Sequence, residues 1–561
     1  MFAKKVFSSF VLSVVILLSA CSENVSFELA PSKVVSLKMS ATKKDGVTTT
    51  KFMFRESDLK LLNAALNNGC SVEAVIRNLG AKKSSDAGSL KEKFSFGFLT
   101  ETGEKFDSPT VTGKFSDADS DTVCVSVVTK KLPAGLFVEG SGKIFLDDLH
   151  VVPSKVGFDF SSEIPVFAFS SKGGTISKKE VFSSAVDFSD VRFTPDMKFK
   201  VKFSPSADSS GRTATVLSVN KEKFYVRKPS DSSSAEFSVL AVKNPSGILS
   251  LSENKNQISS FILSSSVKSS RPKTIKSGGK TFVMTPIVTD PGLVMWWPKK
   301  NWRGDDYEIF SWDRFKGILI FDIANYDVQD DFFKRIAFFV EKAGYRGQLY
   351  SDAFLSDKHG YNAHDYRAES LAEFYEEVRR RNFPLNEKEK LLKLILIENG
   401  IIVENGDGSI SGGNGAVISI SQESQMYLRT QFIAHEGWHG IFFLDADFRN
   451  EVYKLFDELD YGTKRYLIRY FQVTPSLNYD VNDEYLLRNE FMAYMLQKPV
   501  SEVSKYFVEM ASRQHSQEMA KKEADYIISN QARYFVDASG KLDEYVNKRW
   551  NLDAGRVWLI N

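Results

Sequence analysis

The chain of 561 residues carries 73 Lys and Arg against 71 Asp and Glu, a formal net charge of only +2. It therefore lacks the basic excess that binding to a nucleic-acid backbone requires, and no nucleic-acid partner is expected. With 42% hydrophobic and 26% charged residues it reads as globular rather than disordered, and its length exceeds what one hydrophobic core serves, so several domains are expected.

The amino terminus holds a basic stretch, Met1–Lys5, an apolar run from Val6 to Leu18 too short to span a bilayer, and then Leu18-Ser-Ala-Cys21. This resembles a bacterial lipoprotein signal with its lipobox. The resemblance implies a signal peptide at 1–20, cleavage before Cys21 and a diacylglycerol on the Cys21 thiol. The lipid would hold the protein to a bilayer on the extracytoplasmic side of a bacterial cell membrane. No later stretch approaches about 18 consecutive apolar residues, so no membrane span is expected in the body. Cys70 and Cys124 are the remaining cysteines; export would permit a disulfide between them, and two buried free thiols fit the sequence equally well.

Residues 21–153 alternate apolar and polar residues in short runs, such as Lys93–Phe98, Thr122–Val128 and Lys143–Leu146, separated by Gly, Asp and Ser clusters. This pattern predicts an all-β sandwich. The segment Gly142–Val152 resembles the closing strand of jelly-roll carbohydrate-binding modules, which implies a jelly-roll-like domain and raises a glycan as a further partner. In 154–265, the runs Val166–Phe169, Met197–Phe203, Lys223–Val226 and Glu236–Val242 alternate cleanly and suggest an immunoglobulin-like β-sandwich, with Lys198, Lys200 and Lys202 as a solvated outer stripe.

Ser264–Pro272 is low in apolar content and marks a linker at 266–280. All seven Trp residues lie beyond it. The segment Gly317–Ile323 reads as a buried strand and Asp330–Lys342 and Glu369–Arg380 as amphipathic helices, so 281–561 is expected to be α+β. Trp296 and Trp297 read as a hydrophobic anchor. In Lys358–Arg367, Asn362 or Asp365 is placed to cap the following helix; if the segment is a loop, His359 and His364 could reach a cleft, and His364 or Tyr366 could bind substrate or the oxyanion. Glu502–Arg549 reads as mostly helical, with Phe507, Tyr526, Ile527, Ile528 and Tyr534 as core candidates.

The densest chemistry lies in Gln431–Gly440, where His435, Glu436 and His439 spell H-E-x-x-H. The β-branched run Gly415–Ile420 predicts a strand and Met426–Leu444 a helix, with Ser419 or Ser421 as its N-cap. On that helix two imidazoles four residues apart share one face and can hold one metal ion, with Glu436 beside them to take a proton from the attacking water. Gly437 inside the helix marks either a close approach at that turn or a tolerated flaw. Catalytic zinc takes three protein ligands. His515 sits in a polar segment and is a poor third ligand, whereas Glu490 opens the apolar helical run Asn489–Leu496, where a buried carboxylate needs a partner.

H-E-x-x-H followed at a distance by N-E-x-x-A-Y resembles the gluzincin branch of the zinc metallopeptidases, and the strand-then-helix layout resembles minimal zincins. The resemblance implies a zincin-like domain at 281–561 that binds Zn2+ through His435, His439 and Glu490, uses Glu436 as general base and hydrolyses a peptide or protein substrate. It also implies an oxyanion donor, for which Tyr485 is the first candidate and Tyr494 the second. The resulting expectation is a lipid-anchored extracytoplasmic zinc peptidase. Two alternatives stand beside it: a metallopeptidase directed at glycoproteins or cell-wall peptides through a sugar-binding β-module, and a non-catalytic surface adhesin or structural lipoprotein.

Overall fold

The computed structural model describes residues 273–514 and 520–561 continuously and, upstream, residues 31–32, 47–60 and discontinuous segments, mostly strands, between 72 and 265. The expected signal peptide with Cys21, together with Cys70 and His515, lies outside the described residues. The chain divides into two compact units; the second comprises 208–214, 225–232 and 271–561 and the first comprises the remainder. Helices and several small sheets are mixed across the molecule. Among the described residues no helix is long and apolar enough to cross a membrane.

The first unit is built from strands. A five-stranded antiparallel sheet runs in the order Pro31–Ser32, Val47–Phe54, Gly135–Ser141, Lys93–Leu99, Val111–Lys114. In another sheet Val166–Ser170 pairs in parallel with Val123–Val128. Met197–Phe203 shows how alternation becomes structure: Phe199, Val201 and Phe203 point inward and are buried, while Lys198, Lys200 and Lys202 face out, Lys200 pairing with Glu236 at 2.9 Å. Phe237 on the neighbouring strand meets Phe199 at 5.3 Å between ring centres.

The second unit is organised on a five-stranded mixed sheet. Its strands are β1 (Ile287–Thr289), β2 (Tyr307–Trp312), β3 (Ile318–Ile323), β4 (His364–Arg367) and β5 (Ala416–Ser421), in the spatial order β1-β2-β3-β5-β4. β3 and β5 pair in parallel and β5 and β4 antiparallel, leaving β4 at the edge. Every residue of β3 and β5 is buried, the polar Asp322, Ser419 and Ser421 included, as strands covered on both faces should be. On one face, Leu319, Phe321, Val417 and Tyr366 form a core with α2 (Tyr326–Val340) and with helices at Ala368–Arg381 and Glu387–Glu398. α2 starts where the Asn325 side chain accepts the Val328 N–H, and it buries Phe332, Phe333 and Ile336.

The other face is covered by α5 (Met426–Leu444), with α3 and α4 denoting the two helices just named and α1 the short Pro291–Trp296 helix. The α5 bounds match the expected helix, but Ser419 and Ser421 stay in β5, and Gln425 holds the N-cap position without a side-chain hydrogen bond. Gly437 answers to a close approach: a Cβ there would meet Val557 Cγ2 at 2.6 Å. The chain continues through α6 (Ala446–Glu458), α7 (Tyr461–Val473), α8 (Glu484–Leu496), α9 (Val500–Gln514), α10 (Lys521–Ser529) and α11 (Arg533–Trp550). Phe507 and Ile527 are core residues as expected, whereas Tyr526, Ile528 and Tyr534 are half-buried. The stronger contact is Phe507 on Phe535, stacked with ring centres 3.9 Å apart. Only Trp297 of the Trp pair is an anchor, packed edge-on against Phe310; Trp296 is half exposed.

Candidate metal centre

The site forms where α5, α8 and β4 converge. His435 and His439, one turn apart on α5, bring their rings to 4.8 Å between centres at an angle of 79°. α8 is started by Asp483, whose side chain accepts the N–H groups of Tyr485 and Leu486, and it carries Glu490 across from α5. Glu490 faces both imidazoles: Oε2 lies 3.6 Å from His435 Nε2 and Oε1 lies 3.7 Å from His439 Nε2. The third contributor is Asp365 of β4, with Oδ1 at 3.8 Å from His439 Nε2 and its carboxyl within 4.8 Å of that of Glu436.

Outer partners orient the rings. Gln497, just past the end of α8, accepts from His435 Nδ1 at 3.1 Å and from Gln431 Nε2 at 3.2 Å, and its own amide donates to the Tyr506 hydroxyl at 3.1 Å. With its proton at Nδ1, His435 turns the Nε2 lone pair toward Glu490. His439 is fully buried, and neither ring nitrogen makes a hydrogen bond of normal geometry among the described residues, although the Asn489 side chain lies close enough to favour its protonated form. Asn489 lies beside it, and Asn489 Oδ1 and Glu490 Oε2 are likewise buried without a partner.

These orphaned atoms test whether a metal fits. A buried imidazole with no partner is costly, and an ion at Nε2 would satisfy it while fixing the proton at Nδ1, beside Asn489. Zinc at about 2.0–2.1 Å from tetrahedral ligands sets ligand atoms ~3.3 Å apart. The observed 3.6–3.7 Å separations differ by a few tenths of an ångström, and the donors His435, His439 and Glu490 all lie within 4.8 Å of one another. The residues fit the group.

Electrostatics agree in direction. Burial, with the charge of His435 adding to it, pushes His439 down to about 4 against the pull of Glu490, so the ring is a neutral donor. Burial drives Glu436 well above the usual carboxylate range, and Asp365, Glu490 and Glu341 push it further. Asp365 is raised to about 6 by burial, with Glu436 and His435 opposing. Glu341 is raised by burial and then by Asp365 and Glu490, with Lys342 and Arg346 opposing.

Of the residues singled out from sequence, His435, His439, Glu436 and Glu490 come together. Tyr485 lines a small cleft beside them with Glu341, Asp365, Arg367, Phe443 and Asn489. Its ring lies under the Arg367 guanidinium at 4.6 Å, and burial raises its hydroxyl to about 12. Tyr494 packs edge-on against His435 at 5.4 Å.

His364 does not line the cleft, whereas Tyr366 does; both are buried, His364 Nδ1 and the Tyr366 hydroxyl lie 2.9 Å apart, and both rings face Phe333 of α2. The reason is that the segment is a strand rather than a loop. Tyr366 pairs with Val417 and His364 with Ser419 on the α2 side, which turns Asp365, paired with Ile418, toward α5. Nor does Asp365 or Asn362 cap α3, whose N-cap is Arg367 without a side-chain bond. Asp365 and Gln497 are thus the site residues that the sequence reasoning missed. Gln497 had a signal, since it lies two turns beyond Glu490 on the same helix face.

Compared with protein-family models, with curated proteins and with solved structures, the chain finds no match.

Proposed function

We propose that the chain is a zinc-dependent peptidase with a zincin-like catalytic unit, held outside the cytoplasm by a lipid on Cys21. The observation that carries the proposal is the pair of Glu490 oxygens, one against each imidazole Nε2, with His439 fully buried. His435, His439 and Glu490 would hold the ion. When bound, zinc supplies an activated water and polarises the scissile carbonyl. Glu436 takes the proton of the attacking water and returns it to the leaving amine; its burial beside other carboxylates raises its proton affinity for that exchange. Gln497 fixes the tautomer of His435. Tyr485 and Arg367 stand on the cleft wall as donors for the carbonyl oxygen.

The strand-then-helix passage from β5 to α5 supports the zincin-like reading, and the antiparallel sheets with inward Phe199 and Val201 support β-sandwich modules in the first unit. Zinc content of the purified full chain and of Glu490→Ala, together with peptide hydrolysis by the wild type and Glu436→Gln, tests the proposal. Near-stoichiometric zinc lost in Glu490→Ala, with hydrolysis lost but zinc kept in Glu436→Gln, is expected. A folded wild type that takes up no zinc would refute it.

A further inference from the structure

The cleft beside the metal centre holds a carboxylate that has no counterpart among the described residues. Glu341 lines that cleft with Asp365, Arg367, Asp483, Tyr485 and Asn489. It is 8% exposed, and its carboxyl makes no hydrogen bond and no ion pair among the described residues. Its place is costly on three counts. A buried carboxylate without a partner gives up its hydration for nothing in return. Glu341 follows Val340 as the C-cap of α2, at the negative end of the helix dipole. Asp365 and Glu490 stand near enough to push its carboxyl up beyond the effect of burial, with Lys342 and Arg346 opposing. The backbone holds it there: Glu341 N–H donates to Ala337 O at 3.0 Å, its carbonyl accepts from Asp480 N–H at 3.4 Å, and Lys342 beside it pairs with Tyr479.

The nearby cations are engaged elsewhere. Lys342 Nζ donates to the carbonyls of Ser476 and Leu477 and lies 3.8 Å from the centre of the Tyr361 ring. Arg346 pairs with Asp480 at 3.2 Å and with Asp483 at 2.8 Å. Arg367, half-buried, donates to Ser370 and covers the Tyr485 ring. The unmet demand of the cleft is therefore for a donor. Asn489 Oδ1 adds a neutral acceptor on the same wall, since the His439 ring can use only one of its two lone pairs.

Resting on the reading of the adjoining centre as that of a zinc peptidase, we propose that Glu341 receives an ammonium group of the substrate, so that peptides with such a group close to the cleaved bond are preferred. A primary ammonium carries three N–H donors and no acceptor, the complement of what the cleft offers, and its hydrogen bond to a carboxylate is strengthened by charge. Even a divalent ion balances only two of the four carboxyls Glu341, Asp365, Glu436 and Glu490, so the site favours positive charge in what binds beside it. Two sources supply the group: a free peptide amino terminus and a Lys side chain.

The test uses the zinc-loaded full chain and a synthetic mixed-sequence peptide pool free of Arg. The pool is presented unmodified, acetylated at the amino terminus alone, and acetylated at the amino terminus and every Lys, with cleavage read by mass spectrometry. The unmodified pool should be cleaved at least about tenfold faster than the fully acetylated one. A drop already complete on terminal acetylation assigns the ammonium to the amino terminus; a drop that comes only with Lys acetylation assigns it to the side chain. In Glu341→Gln the difference between the pools should vanish while zinc content stays that of the wild type. A wild type that cleaves the fully acetylated pool as fast as the unmodified one would overturn the inference and leave the peptidase reading intact, and this comparison needs no variant to fold. So would a preference that survives in Glu341→Gln. A folded, zinc-loaded wild type that cleaves none of the pools would bring down the peptidase reading and this inference with it.

Discussion

The side-chain oxygen of Gln497 lies 3.1 Å from Nδ1 of His435 and so decides which nitrogen of that imidazole faces Glu490. The same oxygen accepts from Gln431, and the Gln497 amide donates to Tyr506, so the orienting group is itself held on two sides. Replacing it by Leu removes the tautomer lock and strands a ring N–H, an amide and a hydroxyl. Gln497→Leu should weaken zinc binding about 10- to 100-fold, the range seen when outer partners of metal ligands are removed. Competition with a chromophoric chelator measures it, and unchanged affinity would mean that Gln497 merely fills space.

Two opposing effects meet at Gly437. In an exposed helix Gly→Ala gains about 1 kcal/mol, whereas forcing a methyl into a packed contact costs about 1–3 kcal/mol. The Cβ would sit 2.6 Å from Val557 Cγ2, and Val557 is fully buried, so the clash is expected to win. Gly437→Ala should lower the urea midpoint, and adding Val557→Ala should return part of the loss. A single variant as stable as the wild type would show that the carboxyl-terminal segment yields easily.

His364 offers a test of the corrected assignment. Burial pushes its imidazole down to about 3, so it is neutral at any physiological pH, and its Nδ1 meets the Tyr366 hydroxyl on the α2 side. His364→Phe should leave zinc content and peptide hydrolysis within about twofold while costing about 1–3 kcal/mol for the unpaired Tyr366 hydroxyl. A selective loss of substrate binding with stability intact would restore His364 to the site.

What the sequence made legible and what it hid divide along the range of the interaction involved. The α5 helix and its two imidazoles could be read because spacing on a helix is local. Glu490 could be read because a charge at the head of Phe491, Met492, Met495 and Leu496 demands a partner wherever the helix docks. Asp365 could not. In His-Asp-Tyr-Arg the buried pair is His364 and Tyr366 and the group facing the site is the acid, a choice made by pairing with Ile418 more than fifty residues onward. The partner of Gly437 is equally remote, since Val557 belongs to the segment after the last helix. In the upstream unit, alternation along Met197–Phe203 was enough to assign its faces, because Phe199, Val201 and the Lys stripe obey a period of two.

Asp290 carries the pH dependence most open to test, away from the metal centre. It caps α1 by accepting from Gly292 N–H at 2.9 Å and ties down the chain end by accepting from Leu559 N–H at 2.8 Å. Burial, reinforced by Asp313, nonetheless lifts its carboxyl to about 8 from an ordinary value of 3.8, the backbone donors opposing. A carboxyl raised on folding makes the native state bind more protons than the unfolded chain between those two values. Its contribution to stability is therefore full below about pH 4, declines as pH rises through the interval and levels off above about pH 8, by an amount on the order of several kcal/mol. Asp290→Asn cannot titrate. It should be less stable than the wild type at pH 5 because its amide cannot accept the second N–H, and the gap should narrow by pH 8.5. Urea unfolding at the two pH values measures the difference, and a gap that stays constant would mean that Asp290 remains ionised and satisfied by its backbone donors throughout.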